Sequence, residues 1–137
     1  MGITGEGIGT KMNNIELGRY GEQVAKHHLI GGGYRILAEN FTCKSGEIDI
    51  IAQKGGYIIF VEVKTRRTLS YGYPGQAVDR RKQIRYGKIA STYIRQNRIF
   101  NKSYRFDVIE IYIKDKGSHT INHIENAFTL TNKGYYM

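Results

Sequence analysis

Two carboxylates and a lysine stand at spacings that suit hydrolysis of a phosphodiester bond. Asp49 lies in one segment of alternating polarity, Glu62 and Lys64 lie in the next, and Gly55-Gly56 separates the segments. If the glycine pair is a two-residue turn, the two residue numbers of every facing pair in the hairpin add up to the same total. Asp49 then faces Glu62. Carboxylates in this arrangement suit Mg²⁺, and the ammonium of Lys64 can steady the phosphoryl charge or the attacking water.

Like charges that face each other across a hairpin repel, so the folded chain needs a group that offsets them. A divalent cation would do so, and so would a proton on one carboxylate or a salt bridge from Lys64 or an arginine. The prediction depends on the register. A four-residue loop would place Asp49 diagonal to Glu62. Alternatively, the polar face could be the solvent-exposed side of an ordinary hairpin, with no metal site. A register shift by an odd number of residues would move Asp49 to the opposite face of the hairpin. The apolar residues predicted to share that face argue against such a shift; they are Ile48, Ile50, Ala52, Ile59, Val61 and Val63.

Charge and composition point to a polyanionic partner. The net charge is +9, and the sequence pI is about 9.7. Basic side chains track phosphates and tyrosine faces stack on bases, although a basic helix face can also serve solubility alone. Together with the hairpin, the pattern favours nucleic acid, with DNA as the expected form, over a membrane surface. The predicted nucleic-acid-binding residues are Arg66, Arg67, Arg80, Arg81, Lys82, Arg85 and Lys88.

The length of 137 residues predicts one domain over residues 13–130, with a flexible leader over residues 1–12 and a mobile tail over residues 131–137. The single cysteine, Cys43, has no partner for an internal disulfide, which indicates a reducing compartment. No apolar run has the length of a membrane span. The expected location is therefore the cytoplasm.

The order of patterns is helix, three strands, helix, strand, strand, which predicts an α/β fold around a mixed sheet. The first helix is expected to begin after Asn13 or Asn14 and to end before Gly31-Gly32-Gly33. The remaining strands are expected at Tyr34–Phe41, Tyr104–Ile113 and Thr120–Phe128, in addition to the two hairpin strands. An irregular segment, Leu69–Gly75, precedes a second helix over Gln76–Gln96, whose inner side is expected to carry Ala77, Ile84 and Ile94.

Glu22 is the third acidic candidate. It falls on a helical stripe with Ile15, Gly18, Ala25 and Leu29, where a lone carboxylate is costly to bury. The small residues on this helix would allow close approach to the sheet and would let Glu22 overhang the hairpin carboxylates. The alternative is a surface glutamate that bridges to Arg19 or Lys26.

These motifs resemble the PD-(D/E)XK nuclease signature. More narrowly, the chain is similar to the YraN family of uncharacterised small bacterial proteins, which is considered similar to archaeal Holliday-junction resolvases. The resemblance covers roughly residues 14–128. The matching segments are Gly21-Glu22, Asn40, Gly46–Ile50, Phe60–Lys64 with Arg66, and Arg105-Phe106-Asp107.

The resemblance implies a restriction-endonuclease-like fold, a three-layer α/β/α sandwich around a mixed sheet. It also implies a catalytic set of Glu22, Asp49, Glu62 and Lys64. Asp49, Glu62 and the carbonyl of Val63 would hold Mg²⁺ or Mn²⁺, and Glu22 would hold a second metal or its water. The proline expected before the catalytic aspartate is replaced by Ile48.

Two classes of function stay open. The first is a metal-dependent endonuclease that cuts DNA at branched or repair intermediates, and a junction-resolving enzyme of this kind would be expected to form a homodimer. The second is a nucleic-acid-binding or assembly protein that keeps the scaffold without cutting. Hydrolysis of a small phosphate ester fits less well, because it leaves the basic helix without a role. Asp107 is interpreted, with Arg105, as an ion pair at a strand end.

Overall fold

One mixed sheet with a helix on each face forms the body of the molecule. The structure is a computed structural model and describes residues 12–67, 78–114 and 118–129. The strands stand in chain order, and only β3 and β4 run parallel. This confirms the predicted α/β class with a mixed sheet. The elements are α1 (Asn14–Gly31), β1 (Arg35–Cys43), β2 (Gly46–Lys54), β3 (Tyr57–Arg66), α2 (Arg80–Asn97), β4 (Ser103–Ile113) and β5 (His119–Phe128).

The β2–β3 hairpin has the predicted two-residue turn. Lys54 pairs with Tyr57, and the ladder continues in this register to Ile50 and Val61. Gly55 has φ +60°, a left-handed conformation that glycine adopts without a steric penalty. The prediction for Ile48 was wrong, because its side chain packs with the cluster on the opposite face from Ile50. Strict alternation therefore fails between these two residues, on either side of Asp49.

Helix α1 begins with a reciprocal cap. Asn13 accepts a hydrogen bond from the amide of Glu16 at 2.8 Å, and Glu16 accepts one from the amide of Asn13 at 3.0 Å. The predicted inner stripe was partly wrong, because Ile15 is 67% exposed. The buried positions are instead Leu17, Gly21, Ala25 and Leu29.

Helix α2 begins at an aspartate cap and ends in a left-handed residue. Asp79 accepts a hydrogen bond from the amide of Lys82 at 2.9 Å, and Arg98 closes the helix with φ 55°. Of the predicted inner residues, Ile94 is buried and Ile84 is half-buried. The predicted start at Gln76 was wrong, because Val78 and the cap residue Asp79 are not helical and the helix starts at Arg80.

Two apolar clusters fill the space between the sheet and its helices. Ile58 and Phe60 of β3 pack toward α2, whereas Ile59 and Val61 pack toward α1. Because side chains alternate along a strand, the two helices cover opposite faces of the sheet. Among residues 12–67, 78–114 and 118–129, neither helix has the length and apolarity that crossing a membrane requires.

Several predicted segments lie outside the described residues. They are residues 1–11 of the leader, the irregular segment Leu69–Gly75, Ala77, and the tail over residues 131–137. Met12, the last residue of the predicted leader, packs against the cluster beneath α1, and its carbonyl accepts a hydrogen bond from Arg67.

Candidate functional site

Asp49 and Glu62 come together where the β2–β3 ladder ends. The last backbone pair is Ile50 with Val61, Asp49 and Glu62 are the residues directly beyond it, and the charge of Glu62 acts on Asp49. There the carboxylate of Asp49 replaces a backbone partner, because its Oδ2 accepts a hydrogen bond from the amide of Val63 at 2.8 Å. The predicted register therefore holds up to the site, and the strands separate at the carboxylates.

The environment of Asp49 opposes its negative charge. Burial is the main cause that raises the pKa of Asp49 to about 6; the carboxylates of Glu22, Glu62 and Glu47 contribute to this rise, and the hydrogen bond from the Val63 amide opposes it. Three other carboxylates thus act on Asp49 at this point. Such a cluster attracts either protons or a cation.

Glu22 lies on α1 within electrostatic range of Asp49, as the overhanging arrangement requires. Burial is the main cause that raises its pKa, Glu47 and Glu39 add to the effect, and a hydrogen bond from the side chain of Asn40 opposes it. The alternative bridge to Lys26 does not form, because that ammonium pairs with Glu39 at 2.8 Å. Glu22 therefore belongs to the acidic group.

Glu62 is the buried member of the group and has one cationic partner. The residue is 8% exposed, and Lys82 of α2 places its ammonium 2.6 Å from Oε2. Oε1 is buried and has no hydrogen-bond partner among the described residues. Tyr86 lies one turn further along α2, where burial, then the charge of Glu62 and a hydrogen bond with its carboxylate, raise the pKa of the Tyr86 hydroxyl.

Lys64 is half-buried in β3, and its backbone pairs with that of Glu110 in β4. Both side chains point toward α2, since they alternate with Val63 and Ile109, which pack beneath α1. Glu110 is fully buried, and its Oε1 accepts a hydrogen bond from Asn122 at 2.8 Å. A second buried carboxylate therefore stands on the strand beside Lys64.

The predicted nucleic-acid-binding residues divide into separate places. Arg81, Arg85 and Lys88 line one cleft of about 280 Å³ together with Ser45 and Ile84. Three cationic side chains along one helix face suit the regular charges of a phosphate backbone. The other predicted residues lie elsewhere: Arg80 is exposed at the start of α2, Arg66 ends β3, Arg67 contacts Met12, and Lys82 contacts Glu62.

Asp107 lies on the α1 side of the sheet and is held there by Arg105 and by hydrogen bonds from His123 and the amide of Asn126. Arg105 forms two hydrogen bonds to its carboxylate, both at 2.9 Å, which confirms the predicted ion pair. Burial would raise the pKa of Asp107, but hydrogen bonds from His123, Arg105 and the amide of Asn126 outweigh it and lower the pKa. His28 contacts His123 at 3.0 Å and extends this network to α1.

Sequence reasoning gave no site role to two residues that contact the acidic group, Asn40 and Tyr86. Asn40 was matched to a family motif only. Lys82 was predicted to bind nucleic acid, and its contact with Glu62 was not predicted. Helical spacing carried a usable signal, because Lys82 and Tyr86 lie one turn apart and continue the buried face of Ile89 and Tyr93.

The fit to a divalent cation is partial. Oxygen donors are what Mg²⁺ and Mn²⁺ prefer, and the unpartnered Oε1 of Glu62 is a buried acceptor that a cation would satisfy. Within residues 12–67, 78–114 and 118–129, no group of three or more His, Cys, Asp and Glu side chains stands ready to hold a metal ion. The carboxylates would have to rearrange around an ion.

A model described as "Uncharacterised protein family UPF0102" matches residues 21–111. The chain belongs to the UPF0102 family. Its match to the family model spans Glu22, Asp49, Glu62, Lys64 and the whole of α2. This confirms the resemblance to the YraN family, which is the same family.

Relatives in UPF0102 cover most of this chain. A UPF0102 protein of Caldicellulosiruptor saccharolyticus is 48% identical over 118 residues, which are 85% of this chain and 100% of the relative. A UPF0102 protein of Clostridioides difficile is 48% identical over 117 residues, with 85% and 100% covered. Among solved structures, Pyrococcus furiosus SfsA in complex with Ca²⁺ is similar with a TM-score of 0.39 and 16% identity, covering 80% of this chain and 62% of that chain.

Proposed function

We propose that this UPF0102 protein is a metal-dependent endonuclease that hydrolyses DNA phosphodiester bonds, with branched or repair intermediates as its substrates. The observation that carries the proposal is the meeting of Asp49 and Glu62 at the end of the β2–β3 ladder, with Oε1 of Glu62 buried and unpartnered among the described residues. Buried carboxylates that lack hydrogen-bond partners are costly and are typical of functional sites. The restriction-endonuclease-like fold and the PD-(D/E)XK assignment are parts of the same proposal.

Asp49 and Glu62 would hold Mg²⁺ or Mn²⁺, with Glu22 and the carbonyl of Val63 as further oxygen donors. When bound, the ion supplies positive charge that stabilises the phosphoryl group as it reacts. Lys64 projects on the same face as Glu62, where its ammonium can orient the attacking water or stabilise the departing charge. The Val63 amide fixes Oδ2 of Asp49 at 2.8 Å and leaves Oδ1 for the ion.

The substrate class rests on the basic cleft. Arg81, Arg85 and Lys88 line it on the same helix whose Lys82 reaches Glu62. Phosphates bound in the cleft would place the DNA strand beside the carboxylates, because one rigid helix carries both the cleft residues and Lys82. If the enzyme cuts a junction symmetrically, its active form would be a homodimer. The proposed location is the cytoplasm.

A second candidate function is nucleic-acid binding without cutting, as an assembly protein. It is favoured by the Lys82–Glu62 pair, because an ammonium already occupies one carboxylate oxygen, and by the absence of a preformed three-residue metal cluster among the described residues. The basic cleft serves this function equally well.

The deciding experiment is cleavage of a labelled panel that contains linear duplex, single strand, flap and four-way junction, with Mg²⁺ or Mn²⁺. Wild type is compared with Asp49→Asn and with Asp79→Asn, which makes the same chemical change at an exposed helix cap. Cutting by wild type and Asp79→Asn but not by Asp49→Asn supports the endonuclease. Binding of every substrate without cutting would favour the second function.

A further inference from the structure

We propose that Lys82 is a resident cation of the acidic site and that a divalent ion enters by displacing it from Glu62. This inference rests on the proposed metal site. It assigns to Lys82 a role distinct from the phosphate contact that its place in a basic cluster suggests.

The Lys82–Glu62 pair is incomplete as a stabilising contact. The ammonium lies 2.6 Å from Oε2, whereas Oε1 is buried and has no hydrogen-bond partner in the described part of the chain. A buried ion pair stabilises a fold well only when its remaining hydrogen-bonding groups are satisfied. Oε1 of Glu62 is not satisfied by any described residue, so the pair leaves a buried acceptor that a bound ion could satisfy.

The charge balance also favours exchange. One ammonium offsets one negative charge, while Asp49 and Glu62 carry two when both are ionised, with Glu22 and Glu47 nearby. A divalent ion between Asp49 and Glu62 offsets both charges and satisfies the second oxygen. Once the carboxylates rearrange around it, a divalent ion would therefore offset more of the local negative charge than one ammonium does.

Lys82 can leave without disturbing the fold. Its backbone amide is fixed by the Asp79 cap at 2.9 Å, and its side chain is 35% exposed. Four flexible methylene groups let the ammonium swing into water while the helix stays in place. This movement breaks the ion pair with Glu62, and the incoming ion then takes the place of the ammonium beside that carboxylate.

The test measures metal affinity and does not depend on activity. After treatment with EDTA and its removal, Mn²⁺ is titrated into wild type, Lys82→Met and Arg81→Met, and binding is followed by calorimetry and by the rise in melting temperature. Lys82→Met keeps the length of the stem and removes the charge. Arg81→Met removes a like charge one residue away, on the side of the cleft.

If Lys82 competes with the ion, Lys82→Met binds Mn²⁺ about fivefold more tightly or better, while Arg81→Met changes the affinity much less. Lys82→Met should also melt below wild type without metal and approach it when saturated. Equal or weaker binding by Lys82→Met would overturn the inference and leave the metal site standing. No binding by any of the three would remove the proposed metal site itself, and this inference with it.

Discussion

Replacing Asp49 by asparagine should make the metal-free protein more stable at neutral and alkaline pH. Burial and then the neighbouring carboxylates raise the pKa of Asp49 from 3.8 to about 6, so the folded state holds this proton more tightly than the unfolded chain does. The charge costs nothing below pH 3.8, the cost grows between pH 3.8 and about 6, and it is constant above that range.

The raised pKa corresponds to about 3 kcal/mol of lost stability above pH 6. The side chain keeps some contact with water, so screening reduces the expected gain for Asp49→Asn to about 1–3 kcal/mol. Asparagine retains the oxygen that accepts the hydrogen bond from the Val63 amide, and the change therefore removes mainly the charge.

Urea unfolding in EDTA at pH 4, 6 and 8 measures the effect, with Asp79→Asn as the matched control. The free energy of unfolding of Asp49→Asn should exceed that of wild type increasingly as the pH rises. Addition of Mg²⁺ or Mn²⁺ should raise the melting temperature of wild type by mass action, and Asp49→Asn should lose most of this rise. A stability difference that does not depend on pH would refute the electrostatic reasoning, and an equal rise in both proteins would refute the metal site.

Two further predictions concern the helices. Gly21→Ala should lower the free energy of unfolding by about 1–3 kcal/mol, because the added Cβ would lie 1.8 Å from Oγ1 of Thr65, whereas Gly18→Ala has open space and should gain up to about 1 kcal/mol. Thermal unfolding of both variants checks this, and similar losses in the two would contradict it. Charge reversal at Arg81 and Arg85 should weaken DNA binding and reduce the slope of log affinity against log salt by about 2, measured by fluorescence anisotropy. An unchanged slope would place the binding surface elsewhere.

Local rules predicted the hairpin that carries the site. The pair Gly55-Gly56 sets the turn, and the turn sets the register as far as Ile50 and Val61, the residues next to Asp49 and Glu62. The cap at Asn13 was predictable for the same reason, because its partner lies only three residues away. Both features depend on neighbours in sequence.

Tertiary packing decided what the sequence did not predict. Ile48 packs on the opposite face from Ile50, and Ile15 is exposed because the sheet contacts a different stripe of α1. Lys82 reaches Glu62 only because α2 packs on the face of the sheet from which Glu62 projects, and the contact between Asp107 and His123 joins residues of adjacent strands in a register that no local pattern fixed. The periodicity of a single segment does not predict such contacts between residues that are distant in sequence.

The single parallel pair in the sheet sets an order of assembly. Tyr57 of β3 pairs with Ser103 of β4, and α2 lies in the chain between these strands. The β2–β3 hairpin closes a two-residue turn, whereas the parallel pair closes a long loop at a higher cost in chain entropy. We therefore expect Asp49 and Glu62 to come together early in folding, before α2 packs against the sheet and brings Lys82 to Glu62. During that interval the two carboxylates repel without the ammonium of Lys82 to offset them, so divalent ions in the refolding buffer should speed folding of this chain.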